Sequence, residues 1–464
     1  PIKEFAVTEK RKDIIDASRP EEIALQDQPQ WLRERLEWFM DMKLGLILHW
    51  GPYCQWDCCE SWPLVPADTW ARPDGLQCWE QRGRDLPRFQ RDYWALNRTF
   101  NPAGFDPAQW ARAAREAGMK YVAFTTKHHD GFCMFDTRTT DYRVTHPDCP
   151  FHSHPRANVA KEVFDAFRAE GLAVSCYFSK SDWHSPYYWN PDFPIRDRNP
   201  NYNTQEHPGR WSKFVEFVHR QIEELMTGCG RIDVLWLDGG QVRPPHQDIR
   251  MPALAKMARS HQEGLIIADR TVGGPYENII TPEQHIPDAP LGRPWESCVT
   301  MSDSWKYVPN DTYKPAGALV RMLSDVAAKG GNLLLGAGPT PEGTLDAPAL
   351  ERMAELGRWL AVNGEAIYGT RTIAPYTEGH VRYTKKSPHV YAIILPAEGR
   401  DLPPAKVRLS GILPAKGSKA FLLGRDKPLE WRMVDGGAEF DLPVEELPCR
   451  HGWVVKMTDS ALPD

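Results

Sequence analysis

The sequence predicts a parallel (β/α)8-like TIM barrel followed by a small C-terminal antiparallel β-sandwich. Over most of the chain, short apolar runs alternate with segments that have apolar residues at helical spacing, which is typical of parallel β/α units. After about residue 371 the runs become shorter and β-rich, and turn residues separate them. We therefore expect a barrel with an N-terminal extension at 1–371 and a sandwich at 372–464.

Seven apolar runs predict the strands of the barrel. In VLWLDGG (234–240), four bulky apolar residues precede one carboxylate and two glycines, and such an unbroken run indicates a strand covered on both faces. About seven or eight parallel β/α units close into a barrel. The runs are LGLILHWG (44–51), KYVAFTTKHHDG (120–131), LAVSCYFSKSDWH (172–184), DVLWLDGG (233–240), GLIIADR (264–270), ESCVTM (296–301) and NLLLGAGP (332–339).

Amphipathic segments between these runs predict helices at 105–118, 158–171 and 211–230. The C-terminal region shows no helix of any length. Its short β-rich runs indicate an antiparallel sandwich. They are RTIAPY, HVRYTKK, HVYAIILP, AKVRLSG, KAFLLG, AEFDLP and GWVVKM.

The composition argues against a nucleic-acid or membrane partner. Lys and Arg number 56 against 62 Asp and Glu, and the resulting net charge of −6 gives no general attraction to nucleic acid or an anionic membrane. No run approaches the roughly 18 apolar residues of a membrane-spanning helix. The chain begins at Pro1 rather than Met, which is compatible with a removed leader and a periplasmic or secreted location but does not fix either. The compartment and the oligomeric state stay open.

The cysteines do not indicate a disulfide scaffold or a metal centre. The 464 residues include 10 Cys, far fewer than a disulfide-rich domain carries. The cluster CQWDCC (54–59) lacks a second ligand pair at the spacing of a zinc site. We expect no bound metal and no organic cofactor.

Several predicted strands end in side chains that can do chemistry. His49 follows the first run, His128 and His129 follow the second, Asp238 ends the fourth and Arg270 ends the fifth. A single strand-end Asp more simply caps the next turn. Parallel strands of a barrel, however, bring their carboxyl ends to one mouth, so this set predicts a common site.

A sugar is the ligand that this mouth suits best. Because His128 and His129 are adjacent, they are better placed to hydrogen-bond hydroxyl groups than to bind one metal ion together. The chain also has 18 Trp, and an indole offers a flat apolar face with a polar edge. A metal-dependent barrel hydrolase is the alternative.

Seven motifs, taken in chain order over roughly residues 40–370, resemble glycoside hydrolase family 29, the retaining α-L-fucosidases. The stretch that includes TPEQ further resembles the branch that prefers α-1,3/4-linked fucose. The motifs are LGLILHWGPY, KYVAFTTKHHDGF, SKSDWH, VLWLDGG, DRTVGGPYENIITPEQ, PWESCVTMSDSWKY and GGNLLLGAGPTPEGTL.

The resemblance implies roles for residues at matching positions. Asp238 corresponds to the nucleophile that forms a covalent fucosyl-enzyme. The residues expected to contact fucose are His49, His128, His129, Arg270 and Trp305, with Trp305 near the C5 methyl group. Trp236, two residues before the nucleophile on the same strand, is expected to form a further wall.

The acid/base has two candidates in the sequence. Glu283 lies in TPEQ, 45 residues after Asp238 (283 − 238 = 45), which resembles the α-1,3/4 branch. Glu296 lies in PWESC at the start of an apolar strand. A proton donor gains from a mobile and partly desolvated position, so we expect Glu283 to be the acid/base and Glu296 to anchor structure or substrate.

The expected activity is that of a retaining exo-α-L-fucosidase acting on a fucosylated oligosaccharide or glycoconjugate. The same mechanism on an α-L-galactoside and a non-catalytic fucose-binding protein are the alternatives. Three residues depart from the family pattern: Pro52 after HWG, Lys306 in SWKY and Gly336 in LLLGAGP. The loop after HWG helps to shape the leaving-group side, so its departure bears on linkage preference.

Overall fold

The computed structural model describes residues 25–397, 399–400, 402–415, 417–457 and 460–461. The first 24 residues of the expected N-terminal extension therefore lie outside the described residues. Within the described residues, no helix is long and apolar enough to cross a membrane.

The seven predicted barrel strands form one parallel sheet, which confirms the predicted fold class. Their order is β5-β4-β3-β2-β1-β7-β6. Strands that follow each other in the chain are neighbours in the sheet, except that β5 and β6 lie at its two edges. The remaining neighbours are the first and last strands, β1 and β7. Each strand is buried on both faces for nearly all of its length, as unbroken apolar runs require. The strands are β1 (Leu44–Leu48), β2 (Tyr121–Lys127), β3 (Ala173–Ser179), β4 (Val234–Asp238), β5 (Ile266–Asp269), β6 (Glu296–Thr300) and β7 (Asn332–Ala337).

An extended segment at 277–284 fills the place between the edge strands β5 and β6. The Asn278 amide donates to the Ile267 carbonyl of β5 at 2.9 Å. On its other side, the Glu296 amide of β6 donates to the Ile280 carbonyl at 2.8 Å. The barrel is thus closed by an irregular segment instead of a regular eighth strand.

Nine α-helices are present among the described residues. The three predicted ones, now α4, α5 and α6, are confirmed within three residues at each end. Asp106 begins α4 by accepting a hydrogen bond from the Ala108 amide, and Pro107 occupies the first turn. The helices are α1 (Gln30–Met42), α2 (Gln77–Glu80), α3 (Leu86–Trp94), α4 (Pro107–Glu116), α5 (Val159–Ala169), α6 (Pro208–Gly228), α7 (Met251–His261), α8 (Ala316–Ala328) and α9 (Ala347–Asn363).

The C-terminal region is antiparallel and free of helices in its described residues, as predicted. A five-stranded sheet (β13-β16-β10-β9-β8) accompanies a three-stranded sheet (β11-β15-β14) and a two-stranded ribbon (β12-β17). The strands are β8 (Thr377–Glu378), β9 (Val381–Lys386), β10 (His389–Ile394), β11 (Lys406–Leu409), β12 (Leu413–Pro414), β13 (Ala420–Leu422), β14 (Trp431–Val434), β15 (Gly437–Asp441), β16 (Trp453–Met457) and β17 (Ser460–Ala461).

One predicted strand of this region, RTIAPY (371–376), is wrong. Arg371 makes only an isolated bridge to Lys385, and Pro375 has no amide hydrogen for a ladder. The last barrel helix ends at Asn363 and the first C-terminal strand begins at Thr377. The proposed domain boundary at 372 lies between these two points.

The five-stranded sheet packs on the barrel with one face and on the sandwich core with the other. Along β10, Tyr391 and Ile393 join the barrel core, whereas Val390 and Ala392 join the sandwich core. The Trp359 indole of α9 also donates to the Gly452 carbonyl at 2.9 Å. The two regions therefore share a buried interface.

Candidate active site

The carboxyl end of β4 carries the most strongly held carboxylate at the mouth of the barrel. Asp238 is the last residue of this strand, where the apolar run of the core ends. Gly239 follows with a φ of 85°, a backbone conformation that favours glycine. A Cβ on Gly240 would lie 2.0 Å from the Thr271 hydroxyl oxygen, so the second glycine is needed for the close approach of that loop.

Four groups surround the Asp238 carboxylate. Its Oδ1 accepts from the Gly239 amide at 2.8 Å and from Arg270 Nη1 at 3.0 Å. Its Oδ2 accepts from the Tyr177 hydroxyl at 2.6 Å, with His129 Nε2 at 3.6 Å. Burial alone would raise the pKa of Asp238, but Arg270, His129, the Tyr177 hydroxyl and the Gly239 amide together hold it well below its usual range. Asp238 is therefore ionised and oriented.

Arg270 joins the two proposed catalytic carboxylates. Its Nη1 bonds Asp238, its Nη2 bonds Glu283 Oε2 at 2.9 Å, and its Nε donates to the Thr281 hydroxyl at 3.0 Å. The guanidinium carbon also lies 4.5 Å from the centre of the Trp236 ring. A planar fork with five N–H groups can make these contacts at once, and the lysine ammonium cannot.

Glu283 lies on the segment that closes the barrel. The amide of the next residue, Gln284, donates to the Cys298 carbonyl of β6 at 2.9 Å, which fixes the backbone beside the pocket. The Glu283 side chain is 33% exposed, against 18% for Asp238. The sequence predicts a mobile loop here. In the structure, backbone hydrogen bonds and the ion pair with Arg270 hold Glu283 in place.

Glu296 lies deeper in the barrel, at the first position of β6. Its Oε2 accepts from the Tyr121 hydroxyl and its Oε1 accepts from the Trp236 indole at 3.1 Å, so both oxygens already have protein donors. Burial raises the pKa of Glu296 to about 7, and the two hydrogen bonds and Arg270 oppose this rise. The structure thus places Glu296 beneath Trp236, where both of its oxygens are taken up by protein groups.

The three histidines form a packed and uncharged group. Ser61 Oγ lies 2.7 Å from His128 Nδ1, and Ser179 Oγ lies 2.6 Å from His129 Nδ1. Burial lowers the pKa of His49 and of His129 to about 4 each, and that of His128 well below its ordinary value. All three are neutral near pH 7, so each ring has one donor and one acceptor nitrogen.

His49 is the histidine with an unsatisfied nitrogen. Its Nδ1 is buried and has no hydrogen-bond partner among the described residues. A buried polar atom without a partner is costly, so one further hydrogen bond to this nitrogen would be favourable. The Trp305 ring lies 4.8 Å from the His49 ring, which places the predicted aromatic wall beside it.

The departure at Gly336 follows from the position of Trp305. A Cβ on Gly336 would lie 2.8 Å from atoms of the Trp305 ring, too close for any other residue without displacement of the indole. Trp236 is stacked below the mouth between Tyr177, at 5.1 Å, and the Arg270 guanidinium. Trp305 thus lies beside His49, and Trp236 lies buried between Tyr177 and Arg270.

Lys306, one of the three departures from the resembled pattern, holds the loop that follows HWG. Its Nζ donates to the Trp56 carbonyl at 2.5 Å, and its backbone amide donates to Glu60 Oε1 at 3.2 Å. Burial raises the pKa of Glu60 to about 7, which Lys306 opposes. The cysteine-rich loop is therefore fastened to the SWKY loop across the mouth.

Sequence reasoning missed Tyr177 and the loop residues Glu60, Ser61 and Trp62. Tyr177 lies inside an apolar strand, where a tyrosine is normally a core residue. Its pairing with Trp236 in the neighbouring strand is the feature that places it near Asp238. Trp62 packs 4.8 Å from His129, but no spacing pattern in the sequence links a loop to a distant strand end. In the described part of the chain, no group of three or more His, Cys, Asp or Glu side chains could hold a metal ion.

Comparison with known proteins identifies the family to which the chain is similar. The sequence profile described as Alpha-L-fucosidase matches residues 16–365. The plasma alpha-L-fucosidase of Homo sapiens is 27% identical, with 95% of this chain and 94% of that protein covered. The alpha-L-fucosidase of Branchiostoma floridae is 26% identical, with 90% and 92% covered.

Two solved structures also cover nearly the whole chain. Alpha-L-fucosidase isoenzyme 1 from Paenibacillus thiaminolyticus is 30% identical with a TM-score of 0.76, covering 94% of this chain and 100% of that one. The Thermotoga maritima alpha-fucosidase is 25% identical with a TM-score of 0.70, covering 93% and 100%. The chain is a glycoside hydrolase and belongs to the α-L-fucosidase family, glycoside hydrolase family 29.

Proposed function

We propose that the protein is a retaining exo-α-L-fucosidase in which Asp238 is the nucleophile and Glu283 the acid/base. The observation that carries the proposal is the Arg270 guanidinium, which bonds both carboxylates and keeps them side by side. A retaining enzyme needs its two carboxyl groups about 5 to 5.5 Å apart, closer than an inverting pair at about 6.5 to 9.5 Å. The side chain of Glu283 is also more exposed than that of Asp238, as an acid/base that must reach the leaving group requires.

In the first step, Asp238 attacks the anomeric carbon of fucose and forms a C–O bond to it. The glycosidic C–O bond breaks, and Glu283 transfers its proton to the departing oxygen. Asp238 Oδ2 accepts one short hydrogen bond where Oδ1 accepts two, so Oδ2 is the better placed attacking atom. The products are a covalent fucosyl-enzyme and the free alcohol of the glycan.

In the second step, the Glu283 carboxylate takes a proton from water as the water oxygen attacks the anomeric carbon. The bond to Asp238 breaks, its carboxylate is restored, and fucose leaves with the original configuration. Tyr177 and the Gly239 amide then stabilise the released charge on Asp238. Neither step calls for a metal or organic cofactor.

The neutral histidines supply donors and acceptors for the fucose hydroxyls, because the Nδ1 atoms of His128 and His129 are taken up by serine hydroxyls and their Nε2 atoms are not. Trp305 forms an apolar wall for the C5 methyl group. An added hydroxyl at such a wall is rejected by roughly two orders of magnitude at most, so a low α-L-galactosidase activity is expected beside the main one. The floor made by Trp236 closes the pocket below, as a terminal sugar requires.

We further propose a preference for α-1,3/4-linked fucose, on the resemblance of the TPEQ segment and the position of Glu283 in it. A panel of 2-linked, 3-linked and 4-linked fucosyl oligosaccharides, with and without the neighbouring galactose, tests this preference. Equal rates on a simple aryl fucoside and on the branched glycans would count against it.

Azide rescue tests the two catalytic assignments. Asp238→Gly should nearly abolish hydrolysis, and azide should restore turnover as the β-fucosyl azide because it enters from the face that Asp238 vacates. Glu283→Ala should lose more activity on glycans than on substrates with good leaving groups, and azide should give the α-azide from the covalent intermediate.

Glu296→Ala is the matched control for the acid/base. If Glu296→Ala gives the α-azide pattern while Glu283→Ala retains glycan turnover, the acid/base is Glu296. If the wild-type protein binds fucose but does not turn over α-L-fucosyl fluoride, the chain is a fucose-binding protein instead of an enzyme.

A further inference from the structure

An aromatic surface continues outward from the histidine group and has no part in the steps above. The Trp62 ring lies 4.8 Å from His129, on the pocket side, and 6.2 Å from Trp70. Trp70 is 47% exposed. Two indoles therefore lead from a residue beside the nucleophile to the open surface.

Trp70 is held in place although its ring faces solvent. Its indole nitrogen donates to Asp68 Oδ1 at 3.2 Å, and Arg198 binds both oxygens of Asp68 at 2.8 and 2.9 Å. The Arg198 guanidinium also lies 4.3 Å from the centre of the Trp62 ring. The bidentate Arg198–Asp68 ion pair thus connects Trp70 with Trp62. Because these side chains are already ordered, little conformational entropy is lost when a ligand binds.

The backbone between the two indoles is equally fixed. The Arg72 guanidinium donates to the carbonyls of Pro63, Val65 and Pro66 at 2.6, 2.8 and 2.9 Å. The loop after β3 contributes Arg198, so two separate loops build the surface. A surface built from two pinned loops is preformed before any ligand arrives.

The exposure of Trp70 has no explanation in the packing of the chain. Among the described residues, one other tryptophan is more than a third exposed, Trp31 on α1, and there Arg259 lies 5.0 Å over the ring. Leaving apolar surface in water costs about 25 cal/mol for each Å². An exposed, immobile indole with a charged neighbour is a surface that suits one face of a sugar ring.

We propose that Trp70 and Arg198 form a binding subsite for the leaving-group sugar, a hexopyranose that stacks its C–H face on Trp70. Arg198 Nη1, which makes no hydrogen bond among the described residues, is the donor for a hydroxyl of that sugar. The proposal rests on the proposed function, because it places this sugar next to a fucose held between His129 and Trp305. It makes Trp70 a determinant of which glycans are good substrates.

Two substrates separate the subsite from the catalytic machinery. One is α-L-fucosyl fluoride, whose leaving group has no ring to stack. The other is a trisaccharide with fucose on the 3- or 4-position of N-acetylglucosamine beside a galactose. The variants are Trp70→Ala, Trp70→Tyr, and Trp31→Ala as a matched exposed tryptophan far from the mouth, with thermal unfolding to check the fold of each.

Trp70→Ala should lower kcat/KM on the trisaccharide by roughly threefold to tenfold, the usual value of one aromatic stacking contact, and change it less than about twofold on the fluoride. Trp70→Tyr should retain most of the activity, and Trp31→Ala all of it. An equal loss on both substrates, or no loss on the trisaccharide, overturns the subsite. Failure of the wild-type protein on both substrates would overturn the proposed function and leave the subsite without its basis.

Discussion

Replacing Glu296 with glutamine should leave the enzyme active and change how its stability depends on pH. The substitution keeps the shape of the side chain and removes its ability to ionise. In the folded protein the pKa of Glu296 is raised from 4.5 to about 7, chiefly by burial between Tyr121 and Trp236. Since both oxygens bond protein groups, the substitution removes no group that we assign to substrate.

The sign of the stability effect follows from proton binding. Between pH 4.5 and about 7 the folded state keeps the Glu296 proton and the unfolded state has lost it, so wild-type stability falls as the pH rises through this window. Each unit of pKa corresponds to about 1.4 kcal/mol. The free energy of unfolding of Glu296→Gln, relative to wild type, should therefore rise by roughly 2 to 3 kcal/mol from pH 5 to pH 8.

Urea denaturation of both proteins at half-unit steps of pH measures this difference. Glu60 and Asp130, whose pKa values burial also raises to about 7, are present in both proteins and cancel. Glu263→Gln makes the same change of side chain at an exposed position and is the matched control. A flat or falling difference for Glu296→Gln would refute the argument from burial. A folded but inactive Glu296→Gln would show that this carboxyl takes part in the chemistry.

Three further experiments test the aromatic wall and the expected absence of a metal. Trp305→Ala should reduce turnover of fucosides more than that of α-L-galactosides. Gly336→Ala should have the same effect in milder form, at a stability cost of about 1 to 3 kcal/mol, because the new Cβ lies 2.8 Å from the Trp305 ring. Equal losses on both sugars in a rate comparison would place the wall elsewhere. Prolonged chelation should leave activity intact and elemental analysis should find no stoichiometric zinc, whereas loss with recovery on added zinc would indicate a metal-dependent hydrolase.

The barrel could be predicted because its strands are buried on both faces. Runs such as LGLIL and VLWL contain no polar interruption, so the sequence marks them directly. The closing segment at 277–284 could not be recognised in this way. It contains Pro282, and Ile279 and Ile280 are its only bulky apolar residues. Its extended form depends on hydrogen bonds to strands on either side.

The site was predictable where a residue lies at the end of a strand, and not where it reaches the pocket through tertiary structure. His49, Asp238 and Arg270 follow apolar runs, and their convergence follows from parallel strands. Glu60 and Trp62 reach the same mouth on a loop, which in the sequence is only a cysteine-rich stretch. Their position depends on contacts such as the Lys306 ammonium on the Trp56 carbonyl, which no spacing rule encodes.

The irregular closure of the barrel explains why the sequence left two glutamates competing for one role. A regular strand fixes its residues by core packing, and Glu296 on β6 is fixed in this way, with its carboxyl turned into the interior. Glu283 lies on a segment whose backbone is held by hydrogen bonds to the neighbouring strands, and its side chain, paired with Arg270, is 33% exposed. A nucleophile benefits from the rigidity of a strand end, whereas a proton donor has to approach a leaving group that differs between glycans. The proposed nucleophile Asp238 ends a regular strand, and the proposed acid/base Glu283 lies on an irregular segment. This difference in support matches the different demands of the two roles.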